Sequence, residues 1–301
     1  MSLDAWVGVI ATVGTTVAAI VVSIWLEFRK KHGSETALEP IPPAVHHALA
    51  SVAVTRLEKV RASGVLRCGV INHPPLSAWQ QEAGAPVFSG YYVELAREVG
   101  VQEGLEIEFV AVSWGVLSSS FTSLDLDLVL SIFETRARLQ FADFVACLHK
   151  VGVSGVMRAS DEPLTEVSQL SDPALRVGTV VGEVGWEYVT QELKLPRLQL
   201  VQVDSDALRT AFSPLISGDA DIAIVDDLTC AQFVSANPGY QHVFADDSLY
   251  VCKNSIMVPR GETEFARWVD ESFLAARQSP PLQELESTAL KETGGWVKRF
   301  R

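Results

Sequence analysis

Cationic side chains are scarce in this 301-residue chain: 24 Lys and Arg stand against 37 Asp and Glu, a formal charge of −13. That deficit argues against a nucleic-acid partner, whose phosphates need clustered Lys and Arg. Cysteine is sparse as well. The four copies (Cys68, Cys147, Cys230, Cys252) form no Cys-x-x-Cys motif, and their spacing leaves a Cys230–Cys252 disulfide open. There is no Gly-x-Ser-x-Gly elbow, no phosphate loop ending in Gly-Lys-Ser/Thr and no His-Glu-x-x-His, which removes the commonest hydrolase, nucleotidase and zinc-protease signatures. The six His are scattered apart from His46 and His47, which point to different sides of any helix and read as solvated. No metal or cofactor is expected, and no repeat or low-complexity tract interrupts the chain.

What the chain has in excess is apolar surface. The hydrophobic share is 48% and the mean hydropathy +0.20. Much of it lies at the front, where Ala5 to Leu26 form 22 uncharged positions rich in Val, Ile and Ala. At 1.5 Å per residue such a helix spans the roughly 30 Å of bilayer hydrocarbon, and Trp6 and Trp25 fall near its ends. A cleaved signal peptide would start with positive charge and finish on small residues. Here Asp4 precedes the run, and Glu27, Arg29, Lys30 and Lys31 follow. Residues 1–31 therefore read as a transmembrane anchor with a basic flank. The positive-inside rule applied to that flank places the rest of the chain in the cytoplasm. Beyond residue 31, 21 basic residues face 35 acidic ones, so the remainder alone carries −14.

Residues 32–54 read as a tether, with Gly33, Pro40, Pro42 and Pro43 interrupting helix and a short helix around Ala44 to Leu57. Strand-like and helix-like stretches then alternate. Strands are expected at Val65–Ile71, Ile107–Val112, Asp127–Ile132, Arg176–Val180, Leu198–Val203 and Ile222–Val225. Helices are expected at Tyr92–Val99, Trp114–Phe121, Gly185–Leu193, Asp206–Ser217 and Asp227–Val234. Short apolar strands separated by helices predict parallel α/β sheets. Long strands near Lys150–Met157 and Tyr250–Val258 would cross between two such sets, and a cleft between them would collect the strands' carboxyl ends.

Two motifs stand at strand ends. In Thr135 to Phe144, Thr135 can cap a short helix one turn before Arg138, whose guanidinium can grip a carboxylate in bidentate fashion. In Leu215 to Asp226, a helix ends at Gly218 and Asp226 closes a buried strand, where it can hold an ammonium group or cap the next helix.

Together these motifs resemble the family-3 extracellular solute-binding proteins, the polar-amino-acid receptors of ABC transporters. Thr135, Arg138, Asp143 and Phe144 match the family's first pattern, and Gly218, Asp221 and Asp226 its second. Leu66 to Val70, Pro74-Pro75-Leu76 and Gly90 to Ala96 extend the match. The resemblance implies an α/β fold, a two-lobed type II periplasmic-binding-protein-like clamp behind the transmembrane helix. Lobe 1 would comprise residues 55–150 and 255–301, and lobe 2 residues 151–254. It implies that Arg138 pairs with the ligand's α-carboxylate and Asp226 with its α-ammonium, with Ser131, Phe133 and Val184 at the same ligand. Trp79 would be either a wall of the ligand site or part of the lobe core.

The chain departs from the family pattern where Phe133 replaces a hydroxyl residue and Gly182-Glu183-Val184 replaces a hydroxyl-bearing pair, removing two side-chain donors and adding a carboxylate. The segment Ile256 to Asp270 is also similar to the cyclohexadienyl dehydratase branch, but Thr229 stands where that branch has its catalytic Glu. The resemblance thus implies a non-enzymatic receptor, tethered through residues 5–26 outside the cytoplasm, that delivers an amino-acid-like solute to an ABC permease. A membrane-tethered sensor and a dehydratase-like lyase are the other readings.

Overall fold

The computed structural model describes residues 54–82, 84–203 and 208–300. The expected membrane helix at residues 5–26 and most of the tether lie outside them. Among the described residues no helix is long and apolar enough to cross a membrane.

The first helix of the described residues is α1 (Arg56–Ser63). Thr55 sets its first turn: its hydroxyl accepts from Glu58 N, while the Glu58 carboxylate accepts from Thr55 N at 2.8 Å. This reciprocal box satisfies two otherwise orphaned donors, while most of the helix expected at Ala44–Leu57 lies outside the described residues. Gly64, at φ 71°, ends it and turns the chain into β1 (Val65–Val70).

A hairpin of β2 (Ala78–Gln81) and β3 (Pro86–Ser89) follows, then α2 (Tyr91–Glu103), β4 (Glu106–Ala111) and β5 (Leu128–Phe133). Strands β4, β1 and β5 are parallel neighbours in that order. Every residue of β5 is buried, which is why it reads as one continuous apolar run. A second parallel set consists of β9 (Ile222–Asp226), β7 (Val177–Val180) and β8 (Leu200–Val203).

Between the two sets run β6 (Ala142–Arg158) and β11 (Tyr250–Pro259), antiparallel to each other. Strand β11 pairs with β5 and β6 with β9, so one sheet is continuous through both sets. Strand β6 has 17 residues and begins eight positions before the expected Lys150. The short strands β10 (Tyr240–Val243) and β12 (Val297–Arg299) also pair with β6.

The helical stretches expected from apolar periodicity are present, several of them with irregular geometry. Trp114–Ser119 is a 3₁₀ turn. Residues after Gly182 form the four-residue α3 (Val184–Glu187) and then a wider turn through Glu192. A short α4 (Ser213–Ser217) precedes β9, and α5 (Asp227–Ala236) follows it. Two long helices near the C-terminus, α6 (Thr263–Ala276) and α7 (Pro280–Glu292), pack on α2.

The strand expected at Leu198–Val203 starts at Leu200, because Pro196 leads into a 3₁₀ turn at Arg197–Gln199 that leaves Leu198 exposed. All four cysteines are free, so no Cys230–Cys252 bridge forms.

Candidate ligand site

The carboxyl ends of β1, β5, β7 and β9 converge, which is where open α/β sheets place ligands. From β5 the chain passes Phe133 and Thr135 into the turn Arg138–Gln140. The Thr135 hydroxyl accepts from Arg138 N at 3.3 Å, the cap expected from the sequence. Arg138 is buried to 1% exposure, and three of its five N–H donors are engaged within the chain. Nε donates to Glu187 Oε1 at 2.7 Å, Nη1 to Phe133 O at 2.8 Å and Nη2 to Gly182 O at 2.9 Å. The guanidinium lies 5.6 Å from the Trp114 ring centroid. The Thr135 hydroxyl donates to the second carboxylate oxygen of Glu187. The carboxylate that Arg138 grips thus comes from the chain itself, at the end of α3.

Asp226 is engaged in the same way. It is fully buried at the end of β9 and caps α5, with Oδ1 accepting from Thr229 N at 3.0 Å and Oδ2 from Thr229 Oγ1 at 2.6 Å. Its Oδ1 also lies 3.3 Å from His73 Nε2, at the carboxyl end of β1. Burial works to raise the Asp226 pKa, but His73 and the hydrogen bonds from His73 and Thr229 outweigh it and hold the carboxyl below its ordinary range. The other Asp of that motif, Asp221, pairs with Arg176 at 2.7 Å and Arg158 at 3.3 Å, away from the cleft chemistry.

Glu183 lies between these pairs. It is fully buried, and its Oε2 accepts from Gly185 N at 2.6 Å. A Cβ added at Gly185 would meet Ile224 O at 2.3 Å and Glu183 Oε2 at 2.9 Å, so the start of α3 packs closely on β9. Glu183 Oε1 and His73 Nδ1 have no hydrogen-bond partner among the described residues. Burial, then the charge of Asp226, push the Glu183 pKa well up.

A native state that holds a proton more tightly than the unfolded chain is favoured below the unfolded pKa and loses that advantage as pH rises. Glu183→Gln, which keeps the shape without the titration, is therefore expected to match the wild type near pH 4 and to melt above it by pH 8. Thermal unfolding across that range checks this, and a pH-independent difference would contradict it.

The remaining expected residues fall at or beside the cleft. Ser131 has φ 60°, and its buried hydroxyl accepts from Asn254 Nδ2 at 3.0 Å, tying β5 to β11. The Phe133 ring meets His73 edge-on at 5.1 Å. Val184 is buried at the start of α3. Trp79 sits opposite Phe88 in the β2–β3 hairpin with its indole against the hydrophobic core, which favours the core alternative. With both ion pairs made, the mouth of the cleft keeps a crevice of only about 20 Å³ beside Thr135, Val184, Glu187 and Tyr250. That is room for one water and not for an amino acid. Glu187 and His73 are the residues that sequence reasoning missed.

Residues 66–292 match the family model of the bacterial extracellular solute-binding proteins, family 3. No curated protein matches the chain. Among solved structures, the solute receptor for L-cysteine of Neisseria gonorrhoeae superposes with a TM-score of 0.64 at 20% identity, over 79% of this chain and 94% of that one. A histidine kinase sensor domain with similarity to periplasmic binding proteins gives 0.63 at 21%, over 75% and 95%. An ancestral amino-acid-binding protein, a precursor of cyclohexadienyl dehydratase, gives 0.62 at 18%, over 78% and 99%. At these identities the likeness shows the fold.

Proposed function

Because the chain belongs to the bacterial extracellular solute-binding proteins, family 3, we propose that it is a clamp that captures a small amino-bearing solute between two lobes. The lobes are residues 55–150 with 255–301 and residues 151–254. The observation that carries this reading is the convergence of four strand ends on one buried guanidinium, Arg138, and one buried carboxylate, Asp226. Opposite charges on opposite lobes couple binding to closure, because each pairs fully only when the cleft shuts.

The apolar run at residues 5–26 tethers the clamp to the membrane on the extracytoplasmic side, and an ABC permease receives the solute. The net charge of −14 beyond residue 31 repels anions at long range, so the solute is not a dianion. Elimination chemistry of the dehydratase type has no support at residue 229, since the Thr229 hydroxyl donates to Asp226 and carries no titratable proton.

Calorimetric titration of the full chain with a panel of small amines and amino acids tests the reading. Saturable heat with at least one compound is expected. Absence of heat with every compound, in the wild type and in a Glu187→Gln variant that removes the charge paired with Arg138, would overturn it.

A further inference from the structure

The second parallel set of strands is not fully covered by helix. Helix α3 sits over β9, where Gly185 leaves no room for a Cβ against Ile224 O. Strand β8 lies further out, beyond β7, and ends that side of the sheet. The chain does not extend α3 to cover it. The turn at Tyr188–Glu192 is wider than an α-turn: Leu193 N donates to Tyr188 O at 3.0 Å, and Leu195 N then donates to Val189 O at 2.9 Å. Widened turns of this kind recur at functional sites.

A cavity of about 270 Å³ results, lined by Trp186, Thr190, Leu195, Arg197, Leu200 and Gln202. Residue spacing accounts for this shared space. Trp186 and Thr190 stand four apart on one helical face, and Leu200 and Gln202 stand two apart on one face of β8. The cavity shares no residue with the crevice beside Glu187 and is far larger than the about 20 Å³ there. It falls near the lower end of the volumes that hold small ligands, roughly 300 Å³ and upward.

The lining specifies a chemistry. Leu195 is buried and Leu200 half-buried, and both join the hydrophobic core beneath. Trp186 is half-buried yet belongs to neither hydrophobic cluster and has no ring partner among the described residues. An indole so placed is open to a flat apolar ring. Arg197 is the one charged residue of the lining, and its exposed guanidinium has no hydrogen bond or ion pair among the described residues. The Trp186 indole N–H and the Gln202 amide are likewise unengaged, whereas the Thr190 hydroxyl is spent on Trp186 O at 2.7 Å. One cation and two neutral donors beside an apolar floor, with no carboxylate in the lining, are the complement of an apolar monoanion.

We propose that this cavity is a second ligand site, separate from the cleft, that takes a small monocarboxylate bearing one aromatic ring. The ring lies against Trp186, Leu195 and Leu200, and the carboxylate pairs with Arg197 beside Gln202. The site stands independently of the solute-clamp reading, because none of its residues lines the cleft.

The test follows the indole N–H resonances of the ¹⁵N-labelled full chain by NMR, with Trp186 assigned from its loss in Trp186→Leu. The probes are phenylacetate, benzyl alcohol and benzylamine, which share a ring and differ in charge. Phenylacetate is expected to shift the Trp186 resonance saturably with a Kd of about 1 mM, about tenfold tighter than either of the other two. Arg197→Gln, checked for folding by circular dichroism, should weaken phenylacetate about tenfold and leave benzyl alcohol unchanged. Arg197→Lys, which keeps the charge, should retain most of the affinity.

A Trp186 resonance unmoved by phenylacetate would overturn the site. Equal binding of benzylamine, or phenylacetate binding undiminished in Arg197→Gln, would overturn the carboxylate assignment. Calorimetric heat from phenylacetate that persists unchanged in Trp186→Leu would place the ligand elsewhere and also overturn it. Each of these results leaves the clamp reading standing.

Discussion

Replacing Arg138 by Met is expected to unfold the solute-free protein at a much lower temperature. The guanidinium is 1% exposed and holds Glu187, Phe133 O and Gly182 O together. Removing it strands a carboxylate whose side chain is only 14% exposed and leaves two carbonyls without that donor. Breaking one partner out of a buried pair costs about 3–5 kcal/mol, because the remaining charge is left in a poorly solvating surround. At about 2–4 °C per kcal/mol for a domain of this size, the melting temperature should fall by about 6–20 °C.

The double variant Arg138→Met with Glu187→Met should recover most of that loss, since a buried ion pair exchanged for apolar side chains of similar volume is often neutral or better. Differential scanning calorimetry separates this from the alternative, an Arg138 that only waits for solute. In that case the single variant would melt within about 1 °C of the wild type and the double variant would show no rescue.

The second large effect lies far from the cleft. Glu286 on α7 is 2% exposed and is contacted by three basic side chains: His149 Nε2 at 3.0 Å, Arg277 Nη2 at 2.7 Å and Arg299 Nη2 at 3.0 Å. His149 Nδ1 lies 3.1 Å from the Tyr92 hydroxyl, which in turn lies 3.2 Å from Asn254 O on β11. The cluster therefore fastens α2, α6, α7 and β12 to β6 and β11. Arg299 is half exposed and contributes little, so the cost of Glu286→Ala is carried by Arg277 and His149, about 3 kcal/mol. The melting temperature should drop by about 6–12 °C.

Burial tends to raise the Glu286 pKa, but His149 and Arg277 outweigh it and hold it down. The stability it contributes is thus present above the unfolded carboxyl pKa and lost as pH falls through the lowered folded value. The penalty of Glu286→Ala should accordingly be large at pH 7 and shrink toward pH 3 in denaturant titrations. A penalty independent of pH would show that the network acts by packing alone.

Sequence reading located the scaffold and half of the cleft. The strands at residues 65, 107, 128, 177 and 222 announce themselves because each is a short apolar run between polar turns. The boundary that moved at β8 did so for a local reason, the 3₁₀ turn that follows Pro196. Arg138 and Asp226 were legible because each sits in a patterned motif at a strand end. Their partners were not. Glu187 lies 49 residues from Arg138 and His73 lies 153 from Asp226, and both pairs form only when loops from different strands meet. His73 looked like one of six scattered imidazoles. The one usable signal was the extra acid at Glu183, which marked a change in the cleft's charge but not the Glu187 contact a turn later.

The central claim is that the cleft is closed by the chain's own carboxylate, and hydrogen exchange of the solute-free full chain reads it most directly. Amides from Gly182 to Tyr188 and from Phe133 to Arg138 should exchange slowly in the wild type and much faster in Glu187→Gln. Rapid exchange of both segments in the solute-free wild type, slowed only by added solute, would contradict it.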